Sequence, residues 1–516
     1  MILYTEKDKA IWDSKMDNKL NTIESDKQTK FPPTRKEIDK MLDIIMKYIK
    51  DTKKKIYGGF AQNKLIEIKN PKDAFYDKDK MPDIDIYSPT PIQDVINICN
   101  LLHKAGIKHV SAAEALHVET YKIHAEFIAV LDISYVPANI FNRMPFVEVD
   151  GINYVKPWFM MIDMYKMLTD PYHSSFRWEK MFTRIMTVQK NFPFKIVKSA
   201  LVPYWDNNKR NNDDIKMVLM SIYNFLKNNN SIIVIGHYAY NYFLNESEIL
   251  KSNNKFYKNY NIPYYQFVSI DYKNDSLKLF NLLKEQNNTL NITLVEHYPL
   301  WSLYGYNNYI SVNGVLVCHI IHYNKRCTPI KQVIPKIIID NKIIDDKNNP
   351  ADKITKNYIQ IGSFDYTLLT TMTYSIKGRV IKDDKMELFY NNMTSMLVEI
   401  RNFYFKKKNK TMFDDTIFEE YLVTCIGESV DPHREKWLRN KYIRKEKKRR
   451  GFNYNPDERY KESDPDYTFA NTSGNIINNI KNFRVLNDSY TDKLTDFENI
   501  DDIEDVPPSS TSSEST

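Results

Sequence analysis

Glycine is scarce in this chain, at 12 of 516 residues. A sequence so poor in the one residue with free access to positive φ still sets Gly58 and Gly59 side by side, in the stretch IYGGFAQNK. Cysteine is scarcer, at four, and Cys99, Cys318, Cys327 and Cys425 form no CxxC pair. That spacing suggests neither a disulfide framework nor a zinc ribbon, and it fits a reducing compartment. No apolar run approaches the ~20 residues that a membrane-spanning helix needs. The opening MILYTEKDKAIWDSK is charged too early for a secretory signal. These shortages set the expectation of a soluble, intracellular protein with no membrane partner.

Hydrophobic residues, by contrast, make up 42% of the chain and aromatics 13%, enough for well-packed cores. The length exceeds what one ordinary core holds, so two or three domains are expected. The formal charge of +7 is modest but unevenly placed. Lys53-Lys54-Lys55, Lys406-Lys407-Lys408 and RKEKKRR (444–450) are basic, while the end, DFENIDDIEDVPPSSTSSEST, is acidic and polar. A basic body attracts polyanions such as nucleic acid, although lysine-rich faces are also simply solvated. RKEKKRR reads equally as a localisation tract, an RNA-tethering arm or a solvated helix end. The wealth of Lys, Asn, Ile and Tyr is what A/T-rich codons encode.

In TRKEIDKMLDIIMKYIKD, Ile38, Met41, Leu42, Ile45, Met46 and Ile49 recur on one helical face. KKKIYGG then reads as a short strand ending in the two glycines, and FAQNKLIEIK as a helix. A polar loop leads to the strand DIDIYS, and PIQDVINICNLLHKAG is a helix stopped by Gly106. HVETYKIHAEF alternates with period two, as extended segments do. From Pro157 the pattern is helical again.

A second mixed region opens near Ser231, and it echoes the first. IYGGFAQNKLI (56–66) and VIGHYAYNYFL (234–244) share Gly58/Gly236, Phe60/Tyr238, Ala61/Ala239 and Asn63/Asn241. Downstream, FIAVLDISY and VLVCHIIHY both end an apolar run on tyrosine. The reading is an internal duplication in which the second copy keeps the fold and loses the chemistry. His237 stands for Gly59, Ile320 falls where Asp132 is expected, and FVSIDYK offers at most one carboxylate, Asp271.

Asp83 and Asp85 sit at i and i+2 on one strand, so both carboxylates leave the same face. Asp132 lies in another apolar strand, AVLDISY. Unpaired aspartates in apolar strands are costly. Converging, they make an all-oxygen site for hard divalent cations, Mg²⁺ or Mn²⁺. Two such ions ~4 Å apart activate an attacking hydroxyl and stabilise a leaving pyrophosphate. Gly58-Gly59 at a strand-to-helix turn lets the backbone approach an anion closely and suits a triphosphate. A lone DxD or a lone glycine pair is weak evidence; the full set is specific. His319 and His322 with Cys318 and Cys327 are no zinc site, since strand neighbours face opposite sides.

This set resembles the nucleotidyltransferase superfamily of DNA polymerase beta. IYGGFAQNK, PDIDIYS, AVLDISYVP, YVKPWFMMIDMYKMLTDPYHSSFRWEKMFTR and the degenerate second copy resemble, more narrowly, the poly(A) polymerase catalytic subunits of large cytoplasmic DNA viruses, over about residues 40 to 330. The resemblance implies an α+β chain with a helical N-terminal part, a catalytic nucleotidyltransferase domain and a degenerate nucleotidyltransferase-like domain. The boundaries are placed at 1–52, 53–190, a helical connector 191–230, 231–480 with its basic helical extension, and a disordered acidic tail 485–516.

Carried over by position, Asp83 and Asp85 hold the metal on the ATP phosphates. Asp132 joins them at the metal that positions the RNA 3′-hydroxyl, and Gly58 and Gly59 cradle the triphosphate. Arg177, Lys180 and Arg184, on one helical face, are candidates for the phosphates of ATP or RNA, or are a surface stripe. Two features depart from the family: Gly-Gly stands where many members have Gly-Ser, and the interval from Gly59 to Asp83 is long, leaving the loop 70–82 without a role.

The expected activity is addition of AMP to RNA 3′ ends in a cytoplasmic viral factory or the virion. Homodimerisation or a viral processivity subunit is an expected association. Rival readings are another template-independent transferase (uridylyl, CCA-adding or oligoadenylate synthase) and a catalytically silent RNA-binding scaffold.

Overall fold

A computed structural model describes residues 3–456 apart from stretches at 31–32, 77–82, 118, 196–200, 253–255, 324–325, 340–341, 346–356, 435 and 438–451, and also describes 483–486. The basic tract 444–450, the acidic tail and part of the loop 70–82 fall outside these residues. The fold is α+β, in two compact units.

The first unit holds Met1–Val136 and Pro145–Val155. Helix α1 (Glu6–Lys30) is exposed along its described length apart from the half-buried Met16. Helix α2 (Arg35–Asp51) starts at a capping box in which the Glu37 carboxylate accepts the Thr34 N–H at 2.7 Å, and it buries Ile38, Met41, Ile45 and Ile49. There follow β1 (Lys55–Tyr57), α3 (Gly58–Lys69), β2 (Asp85–Ser88), α4 (Pro91–Lys104), β3 (Ser111–Glu114), β4 (Thr120–Ala125) and β5 (Ile128–Tyr135). After α5 (Ala138–Arg143), which belongs to the second unit, come β6 (Phe146–Val149) and β7 (Ile152–Val155). The apolar faces of α2 and α4 cover one side of the sheet.

The second unit holds Pro137–Met144 and Lys156–Arg439. Its helices α6 (Pro157–Leu168) and α7 (Trp178–Asn191) precede α8 (Asn207–Arg210) and α9 (Asp213–Leu226). Then come β8 (Ile232–Ile235), α10 (Gly236–Glu246), β9 (Tyr265–Ser269), α11 (Tyr272–Gln286), β10 (Ile292–His297), β11 (Asn307–Val312) and β12 (Val315–His322). Strand β13 (Thr328–Val333), the hairpin β14 (Lys336–Ile339) with β15 (Lys342–Asp345), β16 (Ile359–Gly362), α12 (Phe364–Ile381), α13 (Asp384–Lys408) and β17 (Cys425–Ile426) complete it. Two late strands return to the sheet edges: β18 (Asn453–Tyr454) beside β3, and β19 (Phe483–Leu486) beside β10.

The strand orders are β18-β3-β4-β5-β2-β1-β7-β6 and β17-β13-β16-β8-β9-β12-β11-β10-β19. Strand by strand they match: β3-β4-β5-β2-β1-β7 against β10-β11-β12-β9-β8-β16. The directions match as well. β1/β2 and β8/β9 are antiparallel, β2/β5 and β9/β12 parallel, and β1/β7 and β8/β16 parallel. The second domain is thus a copy of the first fold.

Three expectations change. Helix α9, placed in the connector, packs on β9 and β12 and precedes β8 as α2 precedes β1. Helices α6 and α7, placed with the catalytic region, group with the second unit because α6 packs on α12. Cys327 and Cys425 form a disulfide, with Cα atoms 5.4 Å apart, where β13 pairs with β17. A separation of 98 residues hides such a pair from spacing rules, and the inference of a reducing compartment loses its support. Among the described residues no helix is long and apolar enough to cross a membrane.

One polar device is common to both copies. Ser88 at the end of β2 donates to Asp94 in α4, and Ser269 at the end of β9 donates to Asp275 in α11 at 2.6 Å. The third partner differs: the Lys54 ammonium lies 2.7 Å from Asp94, while the Ser231 hydroxyl lies 2.6 Å from Asp275. Both groups of the Lys54–Asp94 pair are buried. Asp94→Ala strands an interior charge and should cost ~3–5 kcal/mol, whereas Asp275→Ala frees only neutral partners, the Ser231 and Ser269 hydroxyls and the Asn229 amide, and should cost ~1–3 kcal/mol. Hydrogen exchange resolved by peptide reads the two units separately; equal losses would contradict this ordering.

Candidate active site

The glycine turn and the aspartates meet because of strand register. Asp85 opposes Tyr57, the residue before Gly58, and on its other side opposes Asp132. Asp132 in turn opposes Lys122 on β4. Directly opposed residues share a face, so Tyr57, Asp85, Asp132 and Lys122 form one row across four strands. Asp83 lies two residues ahead of β2, exposed, and the ladder begins beside it, where the Asp132 N–H donates to the Ile84 carbonyl at 2.9 Å. Behind this row runs a second, Lys55–Tyr87–Ser134–Thr120. Tyr57 stacks on Tyr87 with centroids 3.7 Å apart, and its hydroxyl meets Ser134 Oγ at 2.8 Å.

Gly58 has φ +70°, and a Cβ there would collide with Asp85 Oδ2. Only glycine lets the chain turn into α3 this close to the carboxylate. The Lys122 ammonium lies 3.0 Å from Asp132 Oδ2. Burial raises the Asp132 pKa above the ordinary carboxylate range, Lys122 opposes that rise, and the charge of Asp83 adds to it. Among the described residues no three His, Cys, Asp or Glu side chains close on a common point for a metal ion. In kind, however, the donors fit a hard cation: carboxylates from adjoining strands on one face, beside backbone stripped of its Cβ.

The second copy carries the same row with its charges gone. Gln266 opposes Ile235, the residue before Gly236, and also opposes His319, which opposes Tyr309. Asp83, Asp85, Asp132 and Lys122 therefore correspond to Tyr264, Gln266, His319 and Tyr309. The residue at the place of Asp132 is His319 rather than Ile320, because the tyrosines that end FIAVLDISY and VLVCHIIHY are one residue out of structural register. Asp271 stands at the N-cap position of α11 and lies off the row. A Cβ at Gly236 (φ +62°) would collide with Gln266 Oε1, which accepts the His237 N–H at 3.0 Å. His319 is held by the Tyr374 hydroxyl at 2.6 Å and Asn307 Oδ1 at 3.0 Å. Burial holds both His237 and His319 well below the usual imidazole range, hence neutral.

Arg177 closes a short turn before α7, exposed, with Lys180 exposed and Arg184 half-buried on that helix. All three belong to the second unit. Asn63 accepts the N–H groups of Phe75 and Tyr76 at 2.7 and 2.9 Å, and Asn241 donates to the Tyr260 carbonyl at 2.9 Å. Both asparagines tie down the segment that leads to the next strand. Lys122, Tyr57 and Ser134 escaped the sequence reading; the period-two pattern of HVETYKIHAEF, set against AVLDISY, was the available signal for Lys122.

Residues 43–174 match the family described as "Poly(A) polymerase catalytic subunit", and residues 186–487 match the family described as "APMV, Putative poly(A) polymerase, catalytic subunit, C-terminal". The likeness thus runs well past residue 330. A relative from Acanthamoeba polyphaga mimivirus, described as "Putative poly(A) polymerase catalytic subunit", is 29% identical over 92% of this chain and 83% of its own length. A similarly described protein of African swine fever virus (isolate Warthog/Namibia/Wart80/1980) is 24% identical over 70% of this chain and 71% of its own. The crystal structure of the Megavirus polyadenylate synthase is similar with a TM-score of 0.76 and 29% identity, covering 89% of this chain and 87% of that one. With one of these family matches spanning more than half of the chain, and a relative and a solved structure alike over most of it, the protein belongs to the viral poly(A) polymerase catalytic-subunit family and is an enzyme of that class.

Proposed function

We propose that the first unit transfers AMP from ATP to an RNA 3′ end and releases pyrophosphate, while the second serves as a catalytically silent scaffold. The observation that carries this is the row Tyr57–Asp85–Asp132–Lys122 set against Ile235–Gln266–His319–Tyr309: identical ladders, with carboxylates in one alone. Asp83, Asp85 and Asp132 would hold two divalent ions, Mg²⁺ or Mn²⁺, whose chemistry when bound is to stabilise the leaving pyrophosphate and ease loss of the hydroxyl proton. Asp85, against the glycine turn, faces the nucleotide side with Asp83. Asp132, one strand further from the turn, orients the RNA 3′-hydroxyl. The N–H groups of Gly58 and Gly59 open α3, where four helix donors lack internal partners, and they take the triphosphate. Arg177, Lys180 and Arg184 supply charge to phosphates of the RNA. The relatives are viral proteins, which supports a viral factory or the virion as the site of this action.

The test is a tailing reaction on a short RNA with each nucleoside triphosphate in turn. The parent should favour ATP; equal use of UTP would move the enzyme to a uridylyl class. Asp85→Asn and Asp132→Asn should each lower AMP incorporation by ~1000-fold or more, the scale of several kcal/mol of lost transition-state stabilisation. Circular dichroism checks that the fold survives, and parent-like extension would sink the reading.

The glycines allow a paired comparison. Gly58→Ala must displace Asp85, so turnover should fall at least ~100-fold, the scale of misplaced catalytic groups. Gly236→Ala meets a similar clash against Gln266 and should lower the melting temperature while a folded fraction keeps its turnover per molecule. Arg177→Ala with Lys180→Ala should raise KM for RNA and flatten its salt dependence with kcat little changed; an unaltered KM returns these residues to the surface stripe.

A further inference from the structure

We propose that Lys122 is a positioning residue that holds Asp132 by acting as an internal cation, and that it yields Asp132 Oδ2 to a divalent ion. The inference rests on the carboxylate reading above and deepens it. Its first support is geometric. Lys122 and Asp132 are directly opposed on antiparallel β4 and β5, with Nζ 3.0 Å from Oδ2. The Asp132 side chain is 18% exposed and that of Lys122 34%, so the carboxylate is fixed in the sheet face while the ammonium has solvent to swing into. A lysine is a compact charge on a flexible stem, with no rigid fork to lock the pair.

The second support is electrostatic. Asp132 stands beside Asp85 on the same face and within the field of Asp83. Like charges so placed repel unless a cation lies among them, and Lys122 provides one from the strand on the far side of Asp132. The third support is comparative. In the copy that lost its carboxylates, the lysine is gone too: Tyr309 stands opposite His319, ring against ring at 4.5 Å. The lysine and the acid it faces are thus present together in one copy and absent together from the other.

A cation that competes for Asp132 Oδ2 must weaken metal binding, and a unit charge at this range alters the affinity of a carboxylate for a cation by roughly tenfold or more. The experiment measures Mn²⁺ binding to the full-length, nucleotide-free protein by isothermal titration, with thermal melts in the presence and absence of Mn²⁺. Lys122→Met should bind Mn²⁺ about tenfold more tightly than the parent. It should melt lower without metal and recover when Mn²⁺ is added, and Lys122→Arg should stay near the parent. A lower melting temperature with unchanged or weaker Mn²⁺ affinity overturns the proposal and leaves an ordinary sheet ion pair. Asp132→Asn separates the two layers: if it leaves Mn²⁺ binding to the parent background untouched, the carboxylate reading fails before the lysine is at issue.

Discussion

Two carboxylates opposed across adjoining parallel strands repel each other, and the first unit is arranged around that constraint. Asp85 and Asp132 are opposed because β2 and β5 run side by side in a register that also pairs Ile86 with Ile133 and Ser88 with Tyr135. The apolar members of that ladder, Ile86 and Ile133, are fully buried, which prevents a one-residue slip that would turn every side chain to the wrong face. The core thus holds the acids together against their own repulsion. Lys122 offsets part of that repulsion from β4, and the glycine turn brings backbone rather than a side chain against Asp85.

The second copy shows what such a face becomes when nothing charged has to be held there. The turn persists, with Gly236 at positive φ, but the amide Gln266 now fills the place of Asp85 and accepts the His237 N–H. The donor at the head of the helix is satisfied from within the fold. Around it the Tyr390 hydroxyl meets Gln266 Nε2 and His237 Nε2, each at 3.2 Å. A face that could receive an anion has become a buried, neutral hydrogen-bond network, and the same topology supports both.

Much of this was legible in the sequence. The buried face of α2, the Gly106 stop, the glycine turn and the two carboxylate segments all follow from local pattern, and the Gly-x-aromatic-Ala-x-Asn echo gave the duplication. What stayed hidden depends on contacts distant in the chain. The β4–β5 hairpin turns at Glu126 and Phe127, both at positive φ without a glycine, so no turn signal fixed the register that opposes Lys122 to Asp132. Counting back from Tyr323 misplaced the counterpart of Asp132 by one residue, enough to exchange a face. The Cys327–Cys425 bridge and the packing of α6 on α12 join segments that no local rule connects.

The duplication also sorts shared polar residues by what they serve. Ser88 with Asp94 recurs as Ser269 with Asp275, and Asn63 recurs as Asn241, each holding a strand end or an inter-element loop. These survive in the copy whose central row lacks carboxylates because the ladder still needs its ends satisfied: a buried polar group without a partner costs about as much in one copy as in the other. Asp85, Asp132 and Lys122 do not recur; Gln266, His319 and Tyr309 stand in their places. Removing Asp132 leaves Lys122 without its partner, and removing the lysine leaves acids in mutual repulsion. The charges of this row are therefore present together in one copy and absent together from the other, within a sheet otherwise built twice to the same plan.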